Sequence, residues 1–107
     1  MARLIQRGDV RWYRFGRPDK QRPVVILTRN AALEFLSEVT VAPVTSAIRD
    51  IPTEVVLTRD DGMPRTCAAN LDHVQTVSRA KVGALLTTLP TGRMAQVGDA
   101  LRFALDV

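Results

Sequence analysis

The residues best suited to chemistry in this sequence are an arginine and two hydroxyl-bearing residues at the ends of predicted strands. Arg22 comes directly before the apolar run of residues 23–28, and Thr45 and Ser46 follow a second run that ends at Val44. Guanidinium and hydroxyl groups are donors that suit phosphate oxygens. If the two strand ends meet, these side chains could hold a phosphate group. Spacing alone favours plainer roles, an ion pair for Arg22 and a turn cap for Thr45.

Two other side chains that often take part in catalysis have structural explanations. His73, the one histidine in the chain, lies beside Asp72 in the pattern of a short apolar strand, which is more typical of a half-buried structural histidine than of a catalyst. Cys67 is the one cysteine, and it is flanked by Thr66 and Ala68 in a predicted strand with no histidine close in sequence. A small buried side chain is therefore favoured over a nucleophile.

Common catalytic and metal-binding motifs are absent from the sequence. It contains no glycine-rich phosphate loop, no nucleophile elbow and no helical pair of metal-binding histidines. One cysteine excludes an internal disulfide, and one histidine is too few for the usual Cys/His zinc clusters. The adjacent carboxylates Asp60 and Asp61 lie in a predicted turn, where solvation and turn geometry account for them. We therefore expect neither a metal nor a cofactor.

The positive charge of the chain is concentrated in its first 30 residues. The formal net charge is +4, but residues 1–30 hold eight basic and two acidic side chains, a net charge of +6. Of the 15 cations in the chain, 13 are arginine, which suits bidentate contacts with phosphate. The distribution is compatible with a polyanionic partner, although many small soluble proteins are as basic without binding nucleic acid.

Period-two patterns predict a series of short strands that would position these residues. Residues 9–15 alternate, which places Trp12 and Tyr13 on opposite faces. Residues 23–28 form a continuous run rich in β-branched residues, typical of a strand buried on both faces. Pro43 indicates that its strand lies at a sheet edge or contains a bulge. The further predicted strands are residues 38–44, 53–58, 66–69, 73–77 and 82–89.

Near the C-terminus the period changes from that of a strand to that of a helix. Apolar side chains recur at three- and four-residue steps at Met94, Val97, Leu101 and either Ala104 or Leu105. This spacing predicts an amphipathic helix from Thr91 onward, and residues 31–36 predict one or two further helical turns. Gly92 and Gly98 each disfavour the helix by about 1 kcal/mol relative to alanine, so packing onto the sheet must hold it. Short strands closed by a helix predict a mainly β fold, a small and strongly bent antiparallel barrel with a C-terminal α-helix.

The length and composition of the chain limit the number of domains it can form and its location in the cell. A chain of 107 residues with 46% hydrophobic and 24% charged residues is ordinary for one globular domain, so we expect residues 1–107 to form a single domain. No apolar run approaches the roughly 20 residues that cross a membrane. The N-terminal segment turns polar too early for a secretory signal. We therefore expect a cytoplasmic protein with no membrane contact.

Several short motifs stand in an informative order along nearly the full chain. They are Arg7-Gly8-Asp9-Val10 followed by Trp12, Arg22-Pro23-Val24-Val25-Ile26-Leu27, Val41-Ala42-Pro43-Val44-Thr45-Ser46, Ile51-Pro52-Thr53-Glu54-Val55, and Asn70-Leu71-Asp72-His73-Val74-Gln75-Thr76-Val77, before the helix at residues 94–105. Each motif is weak singly, but the ordered set is specific. It closely resembles the MazF/PemK (Kid) family of toxin endoribonucleases from bacterial toxin–antitoxin systems.

The resemblance implies a fold, an activity and two partners. The fold would be an SH3-like small β-barrel of the CcdB/MazF type, assembled as a homodimer whose interface grooves accept single-stranded RNA. The activity would be sequence-selective and metal-independent: the ribose 2′-OH attacks the adjacent phosphorus and leaves a 2′,3′-cyclic phosphate and a 5′-OH. A cognate MazE-like antitoxin would silence the toxin through a disordered acidic segment in the RNA groove.

The resemblance also assigns roles to individual residues. Arg22 and Thr45 fall on the catalytic positions, where Arg22 would clamp the phosphate and Thr45 would donate to a non-bridging oxygen. These roles suit a reaction whose substrate supplies its own nucleophile. A part for Arg22 in proton transfer stays open, because a guanidinium is a poor general base. The implied substrate-binding residues are Lys20, Gln21, Ser46, Asp72 and His73.

This sequence departs from the family pattern at three places. The loop from Phe15 to Gln21 is shorter than the common Gly-Ser-Glu-containing loop, which changes the expected base recognition there. Arg29-Asn30 replaces the frequent Asn-Asp after the second strand. His73 stands where glutamine is usual, in a segment that faces RNA in relatives, so a substrate contact for His73 becomes as well supported as a structural role. The cleavage motif of relatives is therefore not carried over.

Two other functions fit the same fold. A gyrase-poisoning toxin resembling CcdB would act by binding a protein, but that family ends in a Trp-Gly-Ile tail, whereas this chain ends Ala104-Leu105-Asp106-Val107. The pair of Arg22 and Thr45 also argues against it. The second alternative is a nucleic-acid-binding module without catalysis, and RNA cleavage itself separates the three functions.

Overall fold

The structure is built on one curled antiparallel sheet. The computed structural model describes residues 4–16 and 21–107. Within those residues the elements are β1 (Asp9–Arg14), β2 (Gln21–Ile26), α1 (Asn30–Leu33), β3 (Glu38–Thr45), β4 (Glu54–Leu57), β5 (Cys67–Asn70), β6 (Gln75–Ser78), β7 (Leu85–Thr88) and α2 (Thr91–Leu105). The strands pair in the order β4-β5-β3-β2-β1-β7, and β6 also pairs with β3. The predicted mainly β fold with a C-terminal helix is confirmed.

The β2 segment is buried on both faces, as its continuous apolar run predicts. Val25 and Leu27 belong to the cluster enclosed between the sheet and α2. Val24 and Ile26 belong to a second cluster on the other face, with Tyr13 of β1. The period of two in an extended chain sends alternate side chains to opposite faces, so one short segment supplies both cores.

The β3 strand is central in the sheet, so of the two predicted explanations for Pro43, a sheet edge or a bulge, the sheet edge is wrong. One edge of β3 pairs with β2, where Val24 lies opposite Pro43. The other edge pairs with β6 as far as Val41 and with β5 from Val44 onward. Pro43 therefore falls where β3 changes partners, and a proline, which has no N–H to donate, is tolerated at such a break in the ladder.

The predicted strand at residues 73–77 begins later than expected, and His73 is not part of it. A 3₁₀ turn spans Leu71–His73, β6 starts at Gln75, and the His73 side chain is exposed. The cause is local, because the Asn70 side chain accepts a hydrogen bond from the backbone N–H of Asp72 at 3.0 Å. Such a side-chain cap competes with extended structure.

Helix α2 packs its apolar face onto the sheet, as predicted. Val97 and Ala100 are buried, and the neighbouring side chains Met94, Leu101 and Ala104 pack against the same cluster. Of the two predicted alternatives, Ala104 faces the core and Leu105 is 58% exposed. Among the residues described, no helix is long and apolar enough to span a membrane.

Two of the N-terminal arginines support the backbone. The Arg11 guanidinium donates to the fully buried Asp9 carboxylate at 3.1 Å and to the Gly83 carbonyl at 3.2 Å. Arg7 donates to the carbonyl of Leu27. The net charge of residues 1–30 therefore overstates the positive charge that can contact a polyanion. The guanidinium groups of Arg7 and Arg11 bind acceptors within the protein instead.

Asp61 joins the two ends of the sheet to helix α2. It lies in the 3₁₀ turn Arg59–Asp61 after β4, and its carbonyl accepts a hydrogen bond from the Thr87 hydroxyl of β7 at 3.0 Å. Its carboxylate accepts from Arg93 Nε of α2 at 3.0 Å to each oxygen, and from the Thr58 backbone N–H at 2.8 Å. We call this set of contacts the Asp61 clasp. It holds the segment of residues 58–66 in place.

Gly62, the next residue, is required by this geometry. Its φ is +90°, and a Cβ added there would overlap the hydroxyl of Thr87. Gly62→Ala is therefore expected to lower the free energy of unfolding by about 1–3 kcal/mol. The matched control is Gly98→Ala in α2, where a Cβ would meet only the Arg102 guanidinium at 3.7 Å. That change should raise stability by up to about 1 kcal/mol. Urea denaturation measures both, and equal effects would contradict the role of Gly62.

The Asp61 clasp should also make stability depend on pH. Burial raises the pKa of Asp61, but hydrogen bonds from Thr58 and Arg93 outweigh burial and hold the pKa below its ordinary value of 3.8. A carboxyl with a depressed pKa stabilises the fold above its unfolded pKa and loses that contribution as pH falls through the folded pKa. The stability difference between wild type and Asp61→Asn should therefore be largest near neutral pH and shrink below about pH 4. Denaturant titrations at several pH values measure this, and a difference independent of pH would refute it.

Candidate active site

A groove of 370 Å³ lies at the end of the sheet where β2 begins, β3 ends and β5 begins. Four of the residues predicted from sequence to meet substrate line it together: Gln21, Arg22, Thr45 and Ser46. The condition set by the sequence, that the two strand ends meet, is thus fulfilled.

The register between β2 and β3 explains why Arg22 and Thr45 are neighbours. Val24 lies opposite Pro43 in this antiparallel pair. Extended by two residues beyond this last pair, the register would place Arg22 across from Thr45, and both residues line the groove. Residues directly opposite each other in an antiparallel pair project to the same face, with Cβ atoms about 5 Å apart. A guanidinium and a hydroxyl therefore reach one small ligand group from adjacent strands.

The Thr45 hydroxyl caps a turn and also lies where it could donate a hydrogen bond to a ligand in the groove. Its oxygen accepts a hydrogen bond from the backbone N–H of Ala47 at 3.1 Å, as in a turn cap. A hydroxyl that accepts still has its own proton to donate. Because Thr45 is half-buried at the groove, that proton is available to an oxygen of a bound phosphate.

The opposite wall of the groove comes from the segment after β4, which sequence reasoning identified only as a turn. Met63 is buried in this segment, and Pro64 and Arg65 are exposed at the groove. Trp12 of β1 adds a half-buried indole to the lining. The period of two along β1 placed Trp12 on the same face as Val10, but nothing in the sequence indicated that Arg65 would line the same groove as Arg22. The position of Arg65 depends on β5 pairing with β3, where Thr45 lies opposite Ala68.

Cys67 also lines the groove but is unsuited to act as a nucleophile. Burial raises the pKa of its thiol above the ordinary 9.0, the negative charge of Asp61 adds to this, and Arg65 opposes it. The thiol therefore stays protonated at neutral pH, and a thiol is a far weaker nucleophile than a thiolate. Within residues 4–16 and 21–107, no group of three or more His, Cys, Asp or Glu side chains is placed to hold a metal ion.

Three predicted substrate contacts remain. Lys20 lies outside the described residues, and the other two do not line this groove. Asp72 and His73 are exposed on the turn before β6 and are not among the groove's lining residues. The Asp72 carboxylate accepts a hydrogen bond of 2.6 Å from the Thr53 hydroxyl, which fixes its position on the surface.

Known proteins with similar sequences and structures identify the family. The family described as PemK-like, MazF-like toxin of type II toxin-antitoxin system matches residues 6–105. The probable endoribonuclease MazF5 of Mycobacterium tuberculosis is 41% identical over an alignment of 107 positions, which covers 99% of this chain and 97% of that protein.

Two solved structures share the fold over nearly the whole chain. The Mycobacterium tuberculosis toxin MazF-mt6 superposes with a TM-score of 0.85 at 29% identity, covering 92% of this chain and 97% of that one. A mycobacterial endoribonuclease in complex with its cognate antitoxin superposes with a TM-score of 0.87 at 25% identity, covering 96% of each chain. Since the family match runs through every strand and both helices, this chain belongs to the PemK-like, MazF-like toxins of type II toxin–antitoxin systems.

Proposed function

We propose that this protein is an endoribonuclease toxin that cuts single-stranded RNA at selected sequences in the cytoplasm and thereby arrests growth. The observation that carries the proposal is that Arg22 and Thr45 line one groove at the ends of two adjacent strands. Membership of the toxin family and the relative named as a probable endoribonuclease support it.

The proposed reaction is an internal transfer that needs no external nucleophile. The ribose 2′-oxygen forms a bond to the adjacent phosphorus as its proton leaves, and the bond from phosphorus to the 5′-oxygen breaks as that oxygen gains a proton. The products are a 2′,3′-cyclic phosphate and a 5′-OH. Since the RNA brings its own attacking group, the protein contributes chiefly alignment and stabilisation of negative charge.

Arg22 and Thr45 supply that stabilisation in the proposed reaction. The Arg22 guanidinium would bind the non-bridging oxygens of the scissile phosphate, where charge increases in the phosphorane. The Thr45 hydroxyl would donate one further hydrogen bond to the same group, from the position that its bond with Ala47 maintains. Donors held in place before the reaction cost no reorganisation when the charge develops.

Recognition of an unpaired strand would use the rest of the groove. Trp12 offers a flat apolar face on which a base can stack, an interaction available only when bases are not paired. Gln21 and Ser46 would contact the substrate beside the scissile phosphate, with Lys20 as a further contact. We assign Asp72 and His73 to RNA contacts on the face that a second protomer would bring alongside the groove.

Two partners follow from the family and from the surface of the chain. We propose a homodimer, in which a second copy extends the small groove of one protomer and covers exposed apolar side chains of α2 such as Phe103. A cognate MazE-like antitoxin would silence the protein, as the complex of the related endoribonuclease with its antitoxin suggests. An acidic antitoxin segment would suit a groove that holds Arg22 and Arg65.

The proposed activity is tested by incubating the protein with mixed-sequence RNA in buffer containing EDTA. We expect cleavage at a restricted set of sites, with new 5′ ends that a polynucleotide kinase can phosphorylate. Arg22→Ala should lower kcat/KM by about a hundredfold or more while the protein stays folded. Arg29→Ala, which removes an exposed arginine outside the groove, should cleave like wild type. A folded wild-type protein that makes no cuts would refute the enzyme, and full activity of Arg22→Ala would refute its role.

The choice of cleavage site should depend on His73. Because glutamine is usual at this position in relatives, His73→Gln is expected to shift the preferred sequence more than the rate. Sequencing the 5′ ends of RNA cut by each protein measures the preference, and kcat on the preferred site measures the rate. A complete loss of rate would instead make His73 part of the catalytic machinery.

A further inference from the structure

The groove is lined by a second arginine besides the half-buried Arg22, and this second one is exposed. Arg65 lies in the segment of residues 58–66, and its side chain lines the same groove as Arg22 and Thr45. Its neighbour Pro64 restricts the backbone immediately before it. Two arginines therefore line one groove, Arg22 from strand β2 and Arg65 from the segment that precedes β5.

The position of Arg65 is set by the Asp61 clasp. Thr58 and Arg93 hold the Asp61 carboxylate, and Thr87 holds its carbonyl. Gly62 then turns the chain with a positive φ of 90° toward Met63, whose side chain is buried. Arg65 thus follows a segment anchored by both hydrogen bonds and packing, which limits how far its guanidinium can move from the groove.

No ion pair within the described part of the chain explains the presence of Arg65. Among the residues described, no carboxylate forms an ion pair with it, whereas Arg11, Arg49, Arg93 and Arg102 each bind one. Its charge nevertheless acts on the groove, since Arg65 opposes the rise in the pKa of Cys67. An exposed arginine on a segment held by the Asp61 clasp, beside a proposed phosphate site, is placed to bind an anion.

We propose that Arg65 binds a phosphate of the RNA next to the scissile one, and so holds the strand in register across the groove. This inference rests on the proposed function. A strand running between the two walls meets Arg22 at the reacting phosphate and Arg65 at a neighbouring phosphate. Arg65 is thus a substrate-binding residue, and the Asp61 clasp positions it.

The two arginines should then have different kinetic signatures. A contact with a phosphate that does not react is equally strong before and during the reaction, so its loss raises KM and leaves kcat unchanged. A contact with the reacting phosphate strengthens as charge develops, so its loss lowers kcat. A merely structural arginine would show neither pattern.

The test compares Arg65→Gln with Arg59→Gln on an RNA oligonucleotide that contains one cleavage site. Arg59 is a matched control, because it is exposed on the same segment, does not line the groove and changes net charge equally. Arg65→Gln should raise KM about tenfold with little change in kcat. It should also reduce the dependence of log kcat/KM on log salt by about 0.7, the value for one phosphate contact on a single strand. Arg59→Gln should leave both quantities at their wild-type values.

Arg65→Lys completes the series, because it keeps the charge and loses the bidentate geometry. It should retain the salt dependence of wild type with an intermediate KM. Circular dichroism and thermal unfolding confirm that each variant is folded. A fall in kcat at unchanged KM, or an equal effect of Arg59→Gln, would overturn the proposal.

Binding of an all-2′-deoxy oligonucleotide separates this proposal from the proposed function. Such a strand has no 2′-OH to attack, so fluorescence anisotropy reports binding without cleavage. If wild type binds it but cuts no RNA, the enzyme proposal fails, and a roughly tenfold loss of affinity in Arg65→Gln still supports the phosphate contact. If wild type cuts RNA while Arg65→Gln binds and cuts equally well, only the Arg65 proposal fails. Absence of binding by wild type would also overturn it.

Discussion

The carboxylate of Asp61 is the contact on which the shape of the groove depends. An open antiparallel sheet has two end strands with no reason of their own to approach each other. Here the segment after one end strand, β4, is bound to Thr87 of the other, β7, and to Arg93 of the helix that covers the core. The partly buried ion pair of Asp61 with Arg93 and the hydrogen bonds around it thus connect the two ends of the curled sheet and hold the groove wall in place.

The arginines divide into those that stabilise the fold and those that face the groove. Arg7, Arg11 and Arg93 bind carbonyls or carboxylates of the protein itself, using the planar, multidentate geometry that lysine lacks. Arg22 and Arg65 face a common groove. Net charge alone does not distinguish these roles, because it counts an arginine that stabilises the fold and an arginine that lines the groove equally.

The parts of the structure that could be predicted are those governed by local pattern. The run around Val24 and the spacing of Met94 and Val97 are readable because burial follows directly from the period of a strand or a helix. Arg22 and Thr45 could be predicted to act together only on the condition that two strand ends meet. The pairing of β2 with β3 fulfils that condition. Local side-chain competition was harder to foresee, since the cap made by Asn70 removed His73 from a strand that the apolar pattern favoured.

Contacts between distant segments could not be predicted from pattern at all. Asp61 was interpreted as part of a solvated turn, but it is 7% exposed and bonded to residues 26 and 32 positions away. Arg65 likewise reaches the groove only because β5 pairs with the end of β3. The composition of a turn shows that the chain reverses direction there. Which distant segment the turn then contacts depends on how all the strands pair in the sheet.

Strand β3 is bonded along both edges, by β2 on one side and by β6 and β5 on the other. Its amides should therefore open to solvent only when the sheet as a whole unfolds, whereas the segment of residues 58–66 is held by a few side chains. The wall that bears Thr45 and the wall that bears Arg65 thus belong to units of unequal local stability. A substitution in the second wall should therefore disturb the geometry of the first wall less than a substitution in β3 itself, so the two sides of one groove tolerate change to different degrees.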